Sequence, residues 1–583
     1  MEIVVRRVAG VGGGLEFLFG VRLLAIGTAR GGSLLVLPSK QGYIETTPWI
    51  RFGTEGIAPA GDIVQIWCKK GLRTTYQFLH HQIYKGPSSP STDQFANHHR
   101  PNVHILVVDS ASMPHLRRAL PNTMEYLSKE MGAEFFLFHN KKAAGTVAQS
   151  HVLLMGKLVE RYMNRPKAKP FPWFWTSEVE ACSANSTFVL KHFKEKGYKV
   201  LLSEDWTCNL FSSCRNNETL PVDHYMSLYW VKLKHLFPET DALSNFGPAG
   251  RMYYHSNLWP RYCIQRHEEM FKYLEDFMEK YKNEPQFTVT WLGYLQHDWR
   301  GDLYQHDQSF LNFFKRIKNQ TADSHFFFLG DHGNRLYADK TIFWDRAEDM
   351  NPALIYIPPR DLKNNRQVMR RIRQNSQQLV STMDIYATLV DIVKQTDNYT
   401  SPETQPHLAD LQKLKGSSLL RELIQPRNCD TLDLSYEHCL CQDLAPKTRT
   451  HPLTEVLTKA AIDYFNSVIQ ESADKDICAE LKLAQDYEPY VEEYQNNVPA
   501  YPEAKVYVVT LKTHPGNALF NPYVMMHNNG TTEVVSFVTR KNAWGHQARC
   551  VHERHNTITF SENFCFCKNL LNNTSEVNKV NNK

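Results

Sequence analysis

Between residues 100 and 395 the chain alternates short apolar runs with amphipathic stretches, and four of the runs stop on an acid or an imidazole. Val103 to Val108 is followed by Asp109. "GYKVLLSEDW" reaches Glu204 and Asp205, "QFTVTWLGYLQHD" reaches His297 and Asp298, and "SHFFFLGDHG" reaches Asp331 and His332. A short run of large or β-branched residues with no polar alternation fits a strand covered on both faces. "AEFFLFH" and "PALIYIPP" read as two further strands. The intervening "TMEYLSKEM", "RHEEMFKYLEDFMEKYK", "DQSFLNFFKRIK" and "QLVSTMDIYATLVDIV" carry the spacing of helices with one apolar face. This alternation predicts an α/β core, a mostly parallel sheet flanked by helices. Such sheets bind ligands at the carboxyl ends of their strands, where these acids and imidazoles stand.

With 583 residues the chain exceeds one ordinary core. Its texture suggests an N-terminal region and linker over 1–98, the core over 99–400, and a smaller α+β, cysteine-containing region over 401–583. The linker is the polar "YKGPSSPSTDQFANHHRP"; in the last region "AKVYVVTLKTHP" and "EVVSFVTRK" read as antiparallel strands. The twelve cysteines lack CxxC pairs, so they read as structural disulfides and not as a zinc ribbon. N-x-S/T recurs at Asn185, Asn217, Asn319, Asn398, Asn529, Asn572 and Asn573, which with the cysteines favours a secreted or secretory-lumen glycoprotein. A net charge of only +5, with no basic stripe, argues against nucleic acid as a partner. The start, "GVGGGLEFLFGVRLLAIGTARGGSLLVL", is mildly apolar but broken by Glu16, Arg22 and Arg30. It reads as an anchor of unusual form or a misplaced start, and a membrane is an expected partner only in the first case.

Asp109, His297, Asp331 and His332 form a set of hard oxygens and imidazoles suited to a divalent cation. Zinc is the first expectation; manganese, magnesium and calcium are the others. "NKKAAGTVAQSHVLLMGK" offers the nucleophile, since Thr146 opens an apolar helical run. A threonine there is either a plain cap or a hydroxyl for attack on phosphorus or sulfur. Asp298 reads as a partner that orients His297, and Glu204 with Asp205 as a solvated loop pair. Asp302 and His306 share ligand-like i, i+4 spacing.

"VVDSASMPHLRRALPNTMEYL" resembles the entry motif of the domain-of-unknown-function family 229, a nematode-expanded family of the alkaline phosphatase and sulfatase superfamily. Asp109, Ser110, Ser112, Arg118, Pro121 and Thr123 fit its pattern. Asp331, His332, Gly333 and Arg335 match its Asp-His-Gly-x-Arg, and His297, Asp298 and Asp307 its His-Asp followed by Asp. "VSTMDIYATL", "TLKTHPGNALF", "VTRKNAWG" and Cys550, Cys565 and Cys567 extend the likeness over roughly residues 60 to 570. The resemblance implies an alkaline-phosphatase-like metallohydrolase core with a metal on Asp109, Thr146, Asp331 and His332. It implies a second metal or substrate contact on His297 and Asp307, and favours Asp307 over Asp302 and His306. The implied substrate is a phosphate- or sulfate-type ester, on a glycan or lipid. Four positions depart: Met113 replaces an arginine, Gly145 an asparagine before the nucleophile, Tyr337 a glycine, and Gln149 a second asparagine. These departures keep two alternatives open, a catalytically degenerate binding glycoprotein and a phosphoryl-group transferase on the same core. The formylglycine motif of sulfatases is absent at Thr146, which argues against true sulfatase chemistry.

Overall fold

The computed structural model describes residues 30–38, 44–46, 49–52, 58–70, 72–86, 100–158, 163–164, 169–170, 187–206, 210, 220–236, 265–297, 301–334, 343–394, 399, 415–441, 444–495, 502–536, 538, 540–542, 547–555 and 560–571. Its centre is a seven-stranded sheet. In chain order the strands are β1 (Asn102–Val108), β2 (Glu134–Phe135), β3 (Lys199–Glu204), β4 (His224–Tyr225), β5 (Gln286–Leu292), β6 (Ser324–Gly330) and β7 (Leu354–Ile357). They lie in the order β4-β3-β5-β1-β6-β7-β2. The first five in that order run parallel; β7 is antiparallel to β6, and β2 to β7.

The apolar runs form strands because each has two faces to bury. Val103, Ile105 and Val107 enter one core and Leu106 and Val108 the other; Phe327 and Leu329 pair with the first, Phe326 and Phe328 with the second. On the second face lie α5 (Arg266–Lys280) and α6 (Asp307–Ile317), with α1 (Met113–Ala119) and α2 (Pro121–Met131) beside them. The first face holds α3 (Thr146–Met155), α4 (Val189–Glu195) and α7 (Thr382–Lys394). Phe328 packs on Phe310 and Phe314 of α6, at ring separations of 5.9 and 5.4 Å. Truncating it to alanine would cost about 3–5 kcal/mol.

Two predicted elements divide. "AEFFLFH" gives β2 on the main sheet, then a separate strand, Phe138–Asn140. "QLVSTMDIYATLVDIV" is not one helix: Leu379–Ser381 pairs in parallel with Phe138–Asn140, and α7 begins at Thr382. The buried pairing overrides a helical pattern at that end.

Residues 30–81 contribute a five-stranded antiparallel sheet, which the composition of that region did not announce. It docks on the core through Asp62, whose Oδ2 accepts from the Tyr273 hydroxyl at 2.8 Å and lies 2.6 Å from His224 Nδ1. Toward the C-terminus a six-stranded antiparallel sheet centred on Lys505–His514 packs against α8 (Thr454–Glu471). Disulfides join Cys429 to Cys439, Cys478 to Cys565, and Cys550 to Cys567. Among the described residues no helix is long and apolar enough to cross a membrane. Residues 1–29, with most of the apolar N-terminal stretch, lie outside the described residues.

Candidate functional site

Strand register brings the first two acids together. Val108 of β1 is the parallel partner of Gly330 of β6, so Asp109 and Asp331 leave neighbouring strands side by side. Ser110 N–H donates to Asp331 Oδ1 at 3.0 Å and Ser110 Oγ to Asp109 Oδ1 at 2.8 Å. To make both bonds Ser110 adopts φ +60°, a left-handed conformation costly for serine. The glycines of "GDHG" have a steric role. A Cβ at Gly330 would stand 2.0 Å from Ala111 O, and one at Gly333 1.9 Å from Glu348 O. Only glycine lets these backbones approach.

The third member of the cluster is His332, fully buried, whose Nδ1 lies 2.7 Å from Gly333 O. That bond takes the Nδ1 proton, so Nε2 presents its lone pair to the cluster. Nε2 lies 3.5 Å from Asp331 Oδ2, 3.9 Å from Asp109 Oδ1 and 3.2 Å from Thr146 Oγ1.

Thr146 arrives from the other core face at the first position of α3. The capping position belongs to Gly145, and no side chain caps the helix there. The Thr146 hydroxyl instead donates to Asp109 Oδ2 at 3.0 Å. It is half-exposed while Asp109, Asp331 and His332 are buried, so the hydroxyl stands at the mouth of the cluster.

The electrostatics are those of a site short of positive charge. Asp331 Oδ2 is buried and accepts no hydrogen bond. Burial, then the neighbouring charge of Asp109, push the Asp331 carboxyl far above its ordinary 3.8, to about 8. Around a tetrahedral ion with bonds of about 2.0–2.1 Å, ligand atoms stand roughly 3.3 Å apart. The separations of 3.0–3.9 Å here match that spacing. Among the described residues two groups of three metal-binding side chains lie within 4.8 Å; the other is Cys550, Cys565 and Cys567, already in disulfides. Asp109, Asp331 and His332, with Thr146, therefore fit a divalent cation.

The remaining candidates are placed differently. Strand β5 ends at Leu292, and His297 follows a turn, its ring 4.6 Å from that of Trp206. The turn is tied to the cluster by Gln296, whose Nε2 donates to Ser110 O at 2.8 Å. Asp298 lies outside the described residues, as do Arg335 and Tyr337. Asp307 does not join the cluster: its carboxylate accepts from Asn122 N and Thr123 N at 3.0 and 2.9 Å and from Asn122 Nδ2 and Thr123 Oγ1 at 2.8 and 2.7 Å. An acid there satisfies the orphan N–H groups opening α2. His306 packs its ring 4.4 Å from His267. Glu204 and Asp205 are buried, not solvated. Asp205 Oδ1 accepts from Gly293 N and Tyr294 N at 2.7 and 3.0 Å, holding the turn toward His297, and burial raises its carboxyl to about 6. Met113, which replaces an arginine, is a core residue at the start of α1. Gln296 carries a contact that no spacing in the sequence announces, while Ser110 and Gln149 stand at motif positions whose contacts the sequence leaves unstated.

The sequence matches the family described as "Protein of unknown function (DUF229)" over residues 51–486. The chain belongs to this family. No curated protein matches it. Among solved structures it is similar to a Vibrio parahaemolyticus protein in the alkaline phosphatase superfamily: 12% identity, 75% of this chain and 82% of that one, TM-score 0.35. It is also similar to the C-terminal periplasmic domain of the phosphoethanolamine transferase EptC from Campylobacter jejuni, at 12% identity, 56% and 97% coverage and TM-score 0.32. The lipoteichoic acid synthase LtaP from Listeria monocytogenes is similar at 11% identity, 82% and 92% coverage and TM-score 0.33.

Proposed function

We propose that this DUF229 member is an extracytoplasmic metal-dependent hydrolase of phosphate or related esters, with Thr146 as nucleophile. One observation carries the reading. A half-exposed threonine hydroxyl at a helix start converges with Asp109, Asp331 and His332, and one buried carboxylate oxygen there has no hydrogen-bond donor. Asp109, Asp331 and His332 would hold the cation, with Thr146 completing the set. When bound, a divalent cation, zinc first, supplies Lewis-acid polarisation of the ester and lowers the pKa of a hydroxyl beside it.

The chain's own residues do the rest. Asp109 Oδ2 accepts the Thr146 proton and aims the oxygen outward. Thr146 Oγ1 forms the bond to phosphorus as the bond to the departing alcohol breaks, and the alcohol oxygen takes the proton. Water then cleaves the threonyl ester. An alcohol acceptor in place of water gives a transferase with the same first step. The positive end of α3 lies at Thr146 and favours the anionic group. His297, on the turn held by Asp205 and Gln296, is the proposed substrate contact or proton donor. The three disulfides among the described residues support passage through an oxidising compartment.

The test is elemental analysis of the purified protein, joined to a screen of phosphate monoesters, phosphodiesters and sulfate esters, for the wild type and Asp331→Ala. One divalent ion per chain and a turnover, both lost in the variant, are expected. A variant that keeps its metal and its turnover would refute the assignment.

A further inference from the structure

We propose that Gln149 is a positioning residue, setting the Thr146 hydroxyl against Asp331 and His332 by tying the nucleophile loop to the strand end that carries both ligands. The inference rests on the reading of Thr146 as nucleophile. Gln149 is buried in the first turn of α3, three residues after Thr146. Its Oε1 accepts from Lys142 N at 3.1 Å and Ala143 N at 3.0 Å. Its Nε2 donates to Asp331 O at 2.6 Å and to Thr382 Oγ1 at 3.1 Å. A carboxamide has two donor hydrogens and two acceptor lone pairs, and all four are used. One side chain thus joins the loop before Thr146, the end of β6 and the start of α7.

No other side chain of similar size does this. A carboxylate keeps the bonds from Lys142 and Ala143 but sets an oxygen against the Asp331 carbonyl. Methionine fills the volume and leaves two buried N–H groups and a carbonyl unmet. Asparagine is one methylene shorter and cannot reach both sides. Glutamine at this position therefore spans the loop and the strand end with all four of its hydrogen-bonding positions used.

The loop is held on its far side as well. Asn140 Nδ2 donates to His438 O at 2.6 Å, and Lys142 Nζ to Leu432 O and Asp433 O at 2.6 and 2.5 Å. Those bonds fix where the loop sits in the protein. Gln149 fixes where it sits relative to the ligand-bearing strand.

The test is a double-mutant cycle on the full chain: wild type, Thr146→Ala, Gln149→Met and both together. Zinc affinity is read by competition with a chromophoric chelator, and turnover on nitrophenyl phosphate is read separately as kcat and KM. Gln149→Met is expected to weaken zinc binding about tenfold, the low end for groups that orient a ligand, and Thr146→Ala, which removes a ligand, at least as much. The double variant is expected to lose no more than the worse single one, and kcat to fall with KM held. If Gln149→Met does not fold, Gln149→Glu replaces it, since it keeps the bonds from Lys142 and Ala143. Wild-type zinc affinity in the Gln149 variant, or losses that multiply in the double variant, overturn the inference and leave the role of Thr146 intact. Wild-type affinity and turnover in Thr146→Ala overturn the nucleophile itself, and the inference with it.

Discussion

Replacing Asp331 by asparagine should stabilise the metal-free protein while removing its response to metal. Asparagine can keep its Oδ1 in the bonds from Ser110 N and His332 N, at 3.0 and 2.8 Å, and places a neutral amide where the unpartnered Oδ2 stood. The magnitude follows from linkage. The carboxyl titrates at 3.8 when exposed and at about 8 when folded without metal. Between those values the folded state holds the extra proton, so stability falls as pH rises and levels off above the folded value. At about 1.4 kcal/mol per unit, the ceiling is about 2 kcal/mol at pH 5 and about 5 kcal/mol at pH 8. Asparagine pays neither. In EDTA the variant should therefore melt above the wild type, by a gap that widens by about 3 kcal/mol from pH 5 to pH 8. For a unit of about 300 residues that is roughly 5 °C. With zinc at a hundredfold excess over its Kd, the wild type should gain about 2.7 kcal/mol and the variant nothing. Thermal unfolding followed by fluorescence, with EDTA or zinc across this pH range, reads all of it. A variant that melts below the wild type at pH 8 in EDTA, or a gap that does not grow with pH, would refute the charge-deficit account of the site.

Acid should unfold the protein early. His104 and His325, held down to about 3, and His139, to about 4, are buried and neutral when folded. The unfolded chain protonates them below about 6.5, so stability is lost as pH falls from there toward the folded values, at about 2 kcal/mol each by pH 5. A urea midpoint unchanged between pH 7 and pH 5 would contradict this. Gly333→Ala should cost more stability than any surface change, because its methyl group meets backbone at Glu348; equal melting of variant and wild type would show that the backbone yields. Thr146→Ser should keep turnover and metal, whereas Thr146→Val should keep the fold and lose turnover, a split read by circular dichroism beside the ester assay.

The alternation of runs and helices disclosed the core because every central strand is apolar on both faces, and a pattern that continuous has few other uses. Asp109, Asp331 and His332 were visible for the same reason, as polar residues ending such runs. Asp307 enters only through the family resemblance, as a second metal or substrate contact; its carboxylate serves Asn122 and Thr123, a contact across 184 to 185 residues that no local spacing reveals. The apolar run before His297 predicts a strand that reaches it, yet the strand stops at Leu292 and a turn fixed by Asp205 and Gln296 intervenes. The N-terminal sheet stayed hidden because its strands, such as Arg73–His81, mix exposed, half-buried and buried positions without strict alternation.

The grip of Leu432, Asp433 and His438 on the loop ahead of Thr146 also sets an order of assembly. The loop leaves the ribosome some 290 residues before its outer anchors do. A nascent chain can therefore complete its central sheet, whose last strand ends at Ile357, before the loop ahead of Thr146 gains its outer anchors, and products truncated ahead of Cys429 should fold with that loop held on one side only.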